Sequence, residues 1–232
     1  MTVSKPKVTS QNSSSRAAGD CQGCNGCHLA APANQVSMPA IKVIPGISPK
    51  HEHGVEYDQA DLLVLTMVSG SGLGPGPAKF DAHHGGAISQ ALAKAQFKGQ
   101  AGEHLTIALA PQEDRPGAPT RHIAVVGLGD AEAICKKRIC AFFNYAIDLA
   151  VSYQAESMVI PIFPYRSSSG QLSLRGTGAI LYCLMAERAR LGTTGALKEL
   201  RLLCAPQAKS HLQIGLAVER SLCARCHIPQ LG

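Results

Sequence analysis

Apolar positions along the chain fall into short runs of strand length that alternate with longer segments of helical spacing. Ile41–Ile44 predicts a first strand, ended by Pro45-Gly46. Leu62–Val68 is dominated by Leu, Val and Met, the pattern of a strand buried on both faces. Residues 69–77, rich in Gly and Pro, read as the loop that closes it. Gly86–Ala95 has the spacing of a short helix, with Ile88, Leu92 and Ala95 on one side. Leu105–Leu109 and His122–Val126 predict two further strands, separated by a loop at Pro111–Thr120.

A long helix is predicted from about Ala131 to Tyr153. Its stripe of Ile139, Phe142, Phe143, Ala146, Ile147 and Ala150 recurs at three- and four-residue steps and faces a core. Met158–Phe163 predicts another buried strand, Thr177–Leu191 a helix, Leu200–Leu203 a strand and Lys209–Leu222 a last helix. Strands that alternate with helices predict a single α/β domain with a mixed, mainly parallel sheet covered on both faces. The expected organisation is a tail with a Cys cluster over 1–38, the domain over 39–220 and a second Cys-containing tail over 221–232.

Composition narrows the classes. With 232 residues and 45% hydrophobic against 16% charged, the chain can bury a core. No apolar run reaches the length of a membrane span, and Met1–Asp20 has no apolar segment of the kind a secretory signal needs. A cytoplasmic location is therefore expected, with no membrane partner. Five Tyr, five Phe and no Trp make a poor platform for stacking bases. The net charge of +6 comes without a dense Lys/Arg run, so nucleic acid is not the expected partner.

The stretch from Ala60 to about Pro161 resembles the N-terminal domain of the leucyl aminopeptidase family (M17 peptidases). The likeness rests on Ala60-Asp61-Leu62-Leu63-Val64, Gly85-Gly86-Ala87-Ile88-Ser89, Phe97-Lys98-Gly99-Gln100-Ala101-Gly102-Glu103 and Ala124-Val125-Val126-Gly127-Leu128-Gly129. Extended by the segment that begins at Ile160, it runs to about Glu219. The resemblance implies a macro-like fold. In that family the peptidase chemistry sits in a separate C-terminal domain, on an Asn-Thr-Asp-Ala-Glu-Gly-Arg-type motif that does not occur here. No catalytic residue carries over, and a non-enzyme is the expectation. Weak DNA binding, which some relatives have in this domain, is one of the alternatives.

Two places offer themselves to phosphate. At Gly85 and Gly86, glycines following His83-His84 lead into a helix N-terminus with free N–H groups. At Arg166, Ser167, Ser168, Ser169 and Gly170, a cation and three hydroxyls follow a strand. A nucleotide or ADP-ribose ligand is the corresponding partner. The competing explanation is plain turn geometry, with Gly for backbone freedom and Ser for capping.

Nine cysteines are unequally spread. Cys135, Cys140, Cys183 and Cys204 lie in apolar segments and are expected to pack as small hydrophobes in a reducing compartment. The others cluster at the ends. Cys24-Asn25-Gly26-Cys27-His28 and Cys223-Ala224-Arg225-Cys226-His227 are both C-x-x-C-H. One reading is covalent haem c at each, a dihaem electron carrier with His51, His53 or Met38 as distal ligands. The other is one site shared by both ends, built from Cys21, Cys24, Cys27, His28, Cys223, Cys226 and His227. Such a set would hold zinc or an iron–sulfur cluster. His51-Glu52-His53 is read first as a solvated turn. The reading that joins these features is a non-catalytic accessory or scaffold protein with a Cys/His metal site at its termini and a protein partner or second copy as its target.

Overall fold

The computed structural model describes residues 37–45, 60–108, 122–162 and 173–217. Among these, six strands form one sheet in the order β1-β6-β5-β2-β4-β3. They are β1 (Ala40–Pro45), β2 (Leu62–Val68), β3 (His104–Ala108), β4 (His122–Gly129), β5 (Ser157–Pro161) and β6 (Glu199–Cys204). Of the six, only β3 runs antiparallel, paired with β4 from His104 opposite Val126 to Ala108 opposite His122. The described helices are α1 (Pro75–His83), α2 (Ala87–Lys94), α3 (Lys136–Ser152), α4 (Leu174–Arg190) and α5 (Lys209–Leu216). The mainly parallel α/β sheet expected from the sequence is what forms.

Because side chains alternate along a strand, each buried strand feeds two cores. Leu62, Val64, Met158, Ile160, Leu200 and Leu202 meet α3, α4 and α5 on one face. Leu63, Leu65, Ile123, Val125 and Val159 meet Phe80 of α1 and Ile88 and Leu92 of α2 on the other. The α4–α5 crossing is close because glycines face it. A Cβ on Gly215 would lie 2.1 Å from the Arg175 carbonyl oxygen. At the amino edge, Asp61 Oδ2 accepts the N–H groups of Glu156 and Ser157 at 3.0 and 2.9 Å, which fixes the start of β5 beside β2.

Three predicted elements change. Residues 75–77 are not loop but the first turn of α1, where Pro75 presets φ and lacks an N–H that the turn would leave unused. The long helix does not begin at Ala131. A single 3-10 turn spans Ala131–Ala133, and α3 starts only at Lys136, after extended residues Ile134 and Cys135. The β5 strand ends at Pro161, ahead of the expected Phe163. Among the apolar-segment thiols, Cys183 and Cys204 are buried and Cys135 and Cys140 half-buried. Burial raises the Cys204 thiol pKa, with nearby Lys209 pulling weakly the other way, so it remains a neutral packing group. No helix among the described residues is long and apolar enough to cross a membrane.

Candidate functional site

Neighbouring strands β2 and β5 send their chains to opposite faces. From β2 the chain passes to α1 and α2, and from β5 it passes to α4. In open α/β sheets such a switch leaves a crevice at the carboxyl ends of the strands, where ligands settle. A cleft of 540 Å³ opens beside this switch, between the carboxyl end of β2 and α1 and α2, lined among others by Met67, Gly72, Leu73, Asp81, Gly86 and Ser89. That volume lies within the range of small-molecule sites.

Asp81 is the polar centre of the cleft and is 4% exposed. The α2 helix has Gly86 at its N-cap, in the left-handed conformation (φ 76°) and without a side chain to cap the first turn. Asp81 replaces that cap from the preceding helix. Its Oδ1 accepts the Ile88 N–H at 2.7 Å, and its Oδ2 accepts the Ser89 N–H at 3.2 Å together with the Ser89 hydroxyl. A carboxylate at the positive end of a helix dipole is a favourable arrangement.

This bears on the Gly85-Gly86 phosphate reading. Gly86 N–H donates to the Asp81 carbonyl at 2.8 Å and Gly85 N–H to the Ala82 carbonyl at 3.2 Å. With the next amides on the Asp81 carboxylate, a phosphate at this helix end would have to displace an anion already there. The glycines serve the tight turn between α1 and α2. Arg166, Ser167, Ser168, Ser169 and Gly170 lie outside the described residues. So do Cys21, Cys24, Cys27, His28, Cys223, Cys226, His227 and the His51-Glu52-His53 turn. Among the described residues no group of three or more His, Cys, Asp or Glu could hold a metal ion. Asp81 escaped the sequence reading because its partners are seven and eight residues downstream. The available signal was a helix start without a capping side chain of its own.

The glycine-rich segments singled out in the sequence form one structural unit. The turn over residues 98–103 sits on the end of β4. Glu103 Oε2 accepts the Lys98 and Gln100 N–H groups at 3.0 and 2.9 Å. Gly127 N–H donates to the Glu103 carbonyl and Gly129 N–H to the Gly99 carbonyl, both at 2.8 Å.

The mainly parallel α/β sheet with this switch point has a macro-like fold. Residues 64–167 match the cytosol aminopeptidase family, N-terminal domain. A point mutant of tomato leucine aminopeptidase is similar in structure, at 17% identity and a TM-score of 0.51, over 78% of this chain and 36% of that one. The chain thus spans about a third of that enzyme's length. The macro domain of ganglioside induced differentiation associated protein 2 is similar at 13% identity and TM-score 0.53, covering 81% of this chain and 88% of that one. A Trypanosoma brucei macrodomain in complex with ADP is similar at 13% identity and TM-score 0.51, covering 78% and 69%. No curated protein matches the sequence.

Proposed function

We propose that this chain is a non-catalytic accessory protein whose macro-like domain is a ligand-recognition module, with the switch-point crevice taking a nucleoside diphosphate or ADP-ribose. The observation that carries this reading is the 540 Å³ cleft at the carboxyl end of β2. Its apolar walls at Met67 and Leu73 suit a base. A macrodomain of similar fold binds ADP. The cation expected at the phosphates is Arg166, in the segment between β5 and α4. Calorimetry with ADP and ADP-ribose on the full chain is expected to give saturable heat. Leu73→Glu, which puts a second carboxylate in the cleft, should weaken binding roughly tenfold or more, as should Arg166→Ala. No heat with either ligand, or equal affinity in both variants, defeats the reading.

The second part of the proposal is a Cys/His metal site shared by the two terminal extensions. It is supported by the paired C-x-x-C-H motifs and by where the domain releases its ends. Met38 and Leu216 pack against the same core, and α5 packs on β1. Ser37 lies ten positions after Cys27, and Cys223 lies six after Ala217. At about 3.3 Å per residue, extended connections of that length reach past a six-residue strand such as β1. Elemental analysis of untagged protein is expected to find zinc or iron bound, lost in both Cys24→Ser and Cys226→Ser. A Soret band would assign haem instead, and protein free of metal and haem would remove the site.

A further inference from the structure

A second cleft opens on the opposite face of the sheet, between β3 and α3. It measures 180 Å³, about six water molecules' share of liquid. Besides the carboxylate of Glu103, three side chains of hydrogen-bonding chemistry line it: His104 at the start of β3, and Arg138 and Tyr145 of α3. Each has capacity that the fold does not use. Arg138 spends one N–H on the Leu128 carbonyl, from Nη1 at 2.8 Å, and a guanidinium carries five. The His104 ring donates from Nδ1 to the Gly102 carbonyl at 3.2 Å, which leaves Nε2 as the acceptor nitrogen of the imidazole. Tyr145 packs its ring against His104 at 4.9 Å between centroids. Its hydroxyl makes no hydrogen bond among the described residues.

The surroundings carry charge of both signs. Glu103, the carboxylate on the lining, already holds the Lys98 and Gln100 amides through Oε2. Lys137 and Arg138 lie in the first turn of α3, which has no acidic residue. Cations at the positive end of a helix dipole are the reverse of the stabilising arrangement. Their field is relieved by an anion placed nearby. Burial first, and the charge of Tyr153 second, raise the Tyr145 pKa and keep its hydroxyl a donor.

The geometry points to a binding site for an oxyanion, the carboxylate or phosphate group of a small ligand, held by the Arg138 guanidinium and the Tyr145 hydroxyl beside the His104 ring. A planar guanidinium with free donors is the side chain best matched to either group. The site is separate from the crevice at β2, being on the other face of the sheet, so it stands or falls independently of nucleotide binding.

The test follows the ring signals of His104 and Tyr145 by NMR while the full chain is titrated with inorganic phosphate and, separately, with acetate. Saturable shifts of both rings are expected with at least one probe, and the probe that saturates assigns phosphate or carboxylate. Arg138→Gln and Tyr145→Phe are each expected to weaken binding roughly tenfold, the loss of one hydrogen bond to a charged group. Tyr145→Phe keeps the ring packing and removes only the hydroxyl. It therefore separates a lost ligand contact from any disturbance of the end of β4, whose Leu128 carbonyl Arg138 also holds. Linear shifts with both probes overturn the proposal, and so does wild-type affinity in either variant.

Discussion

Replacing Gly127 by alanine is expected to cost about 3 kcal/mol or more, at the upper end of what overpacking does to a folded core. A Cβ at this position would lie 2.0 Å from the Gln100 carbonyl oxygen and 2.7 Å from the Gly99 carbonyl carbon. Both are backbone atoms, so no rotamer change can make room. To accept the methyl group, the turn over residues 98–103 has to lift from β4. Lifting it breaks the two 2.8 Å hydrogen bonds from Gly127 and Gly129. Gly129 reinforces the constraint, with φ at 70° and Arg138 Nη1 2.9 Å from where its Cβ would be. For a chain of this size the melting temperature should fall on the order of 10 °C. Gly72→Ala is the control, because nothing lies within 4 Å of its Cβ position. If Gly127→Ala melts within a degree or two of wild type, the turn is not seated on β4 as described.

The same close approach explains which parts of the fold were legible in the sequence. The glycines at 99, 127 and 129 stand out in a linear reading as short motifs, yet their reason lies in contact between a turn and a strand some thirty residues apart. The resemblance to the aminopeptidase N-terminal domain located the motifs without supplying that reason. Local signals were read well where one interaction dominated. Leu62–Val68 is apolar nearly throughout because the sheet buries it on both faces, and Ile139 to Ala150 keeps helical spacing because α3 buries one side. They failed where two signals competed. The Gly/Pro content of residues 69–77 outweighed the fact that proline is at home in a first helical turn, which hid the start of α1. The β3–α3 cleft had no local signal at all. His104 and Tyr145 meet only because β3 turns back along β4 and α3 returns over it.

Replacement of Asp81 by alanine is expected to cost about 3 kcal/mol, mostly as local opening of α2. The carboxylate is 4% exposed and serves two amides and one hydroxyl. Without it, the Ile88 N–H is left inside the protein with no acceptor, and an unsatisfied buried donor costs about 1–3 kcal/mol. Loss of a helix N-cap contributes about 1 kcal/mol more, and these terms overlap because they concern the same amides. Asp81→Asn retains one carbonyl oxygen and should lose less than the alanine variant. Ser89→Ala removes one donor while leaving both amides capped, so it should lose least. The ordering also tests the cleft, since Ile88 anchors α2 to the core that forms the cleft floor. Hydrogen exchange at Ile88 and Ser89 in Asp81→Ala should accelerate far more than exchange in α3 or α4. Uniform acceleration across all helices would mean that Asp81 supports the whole domain, not the N-terminus of α2. Unchanged exchange at Ile88 would mean that its amide has another acceptor, and the capping role would fall.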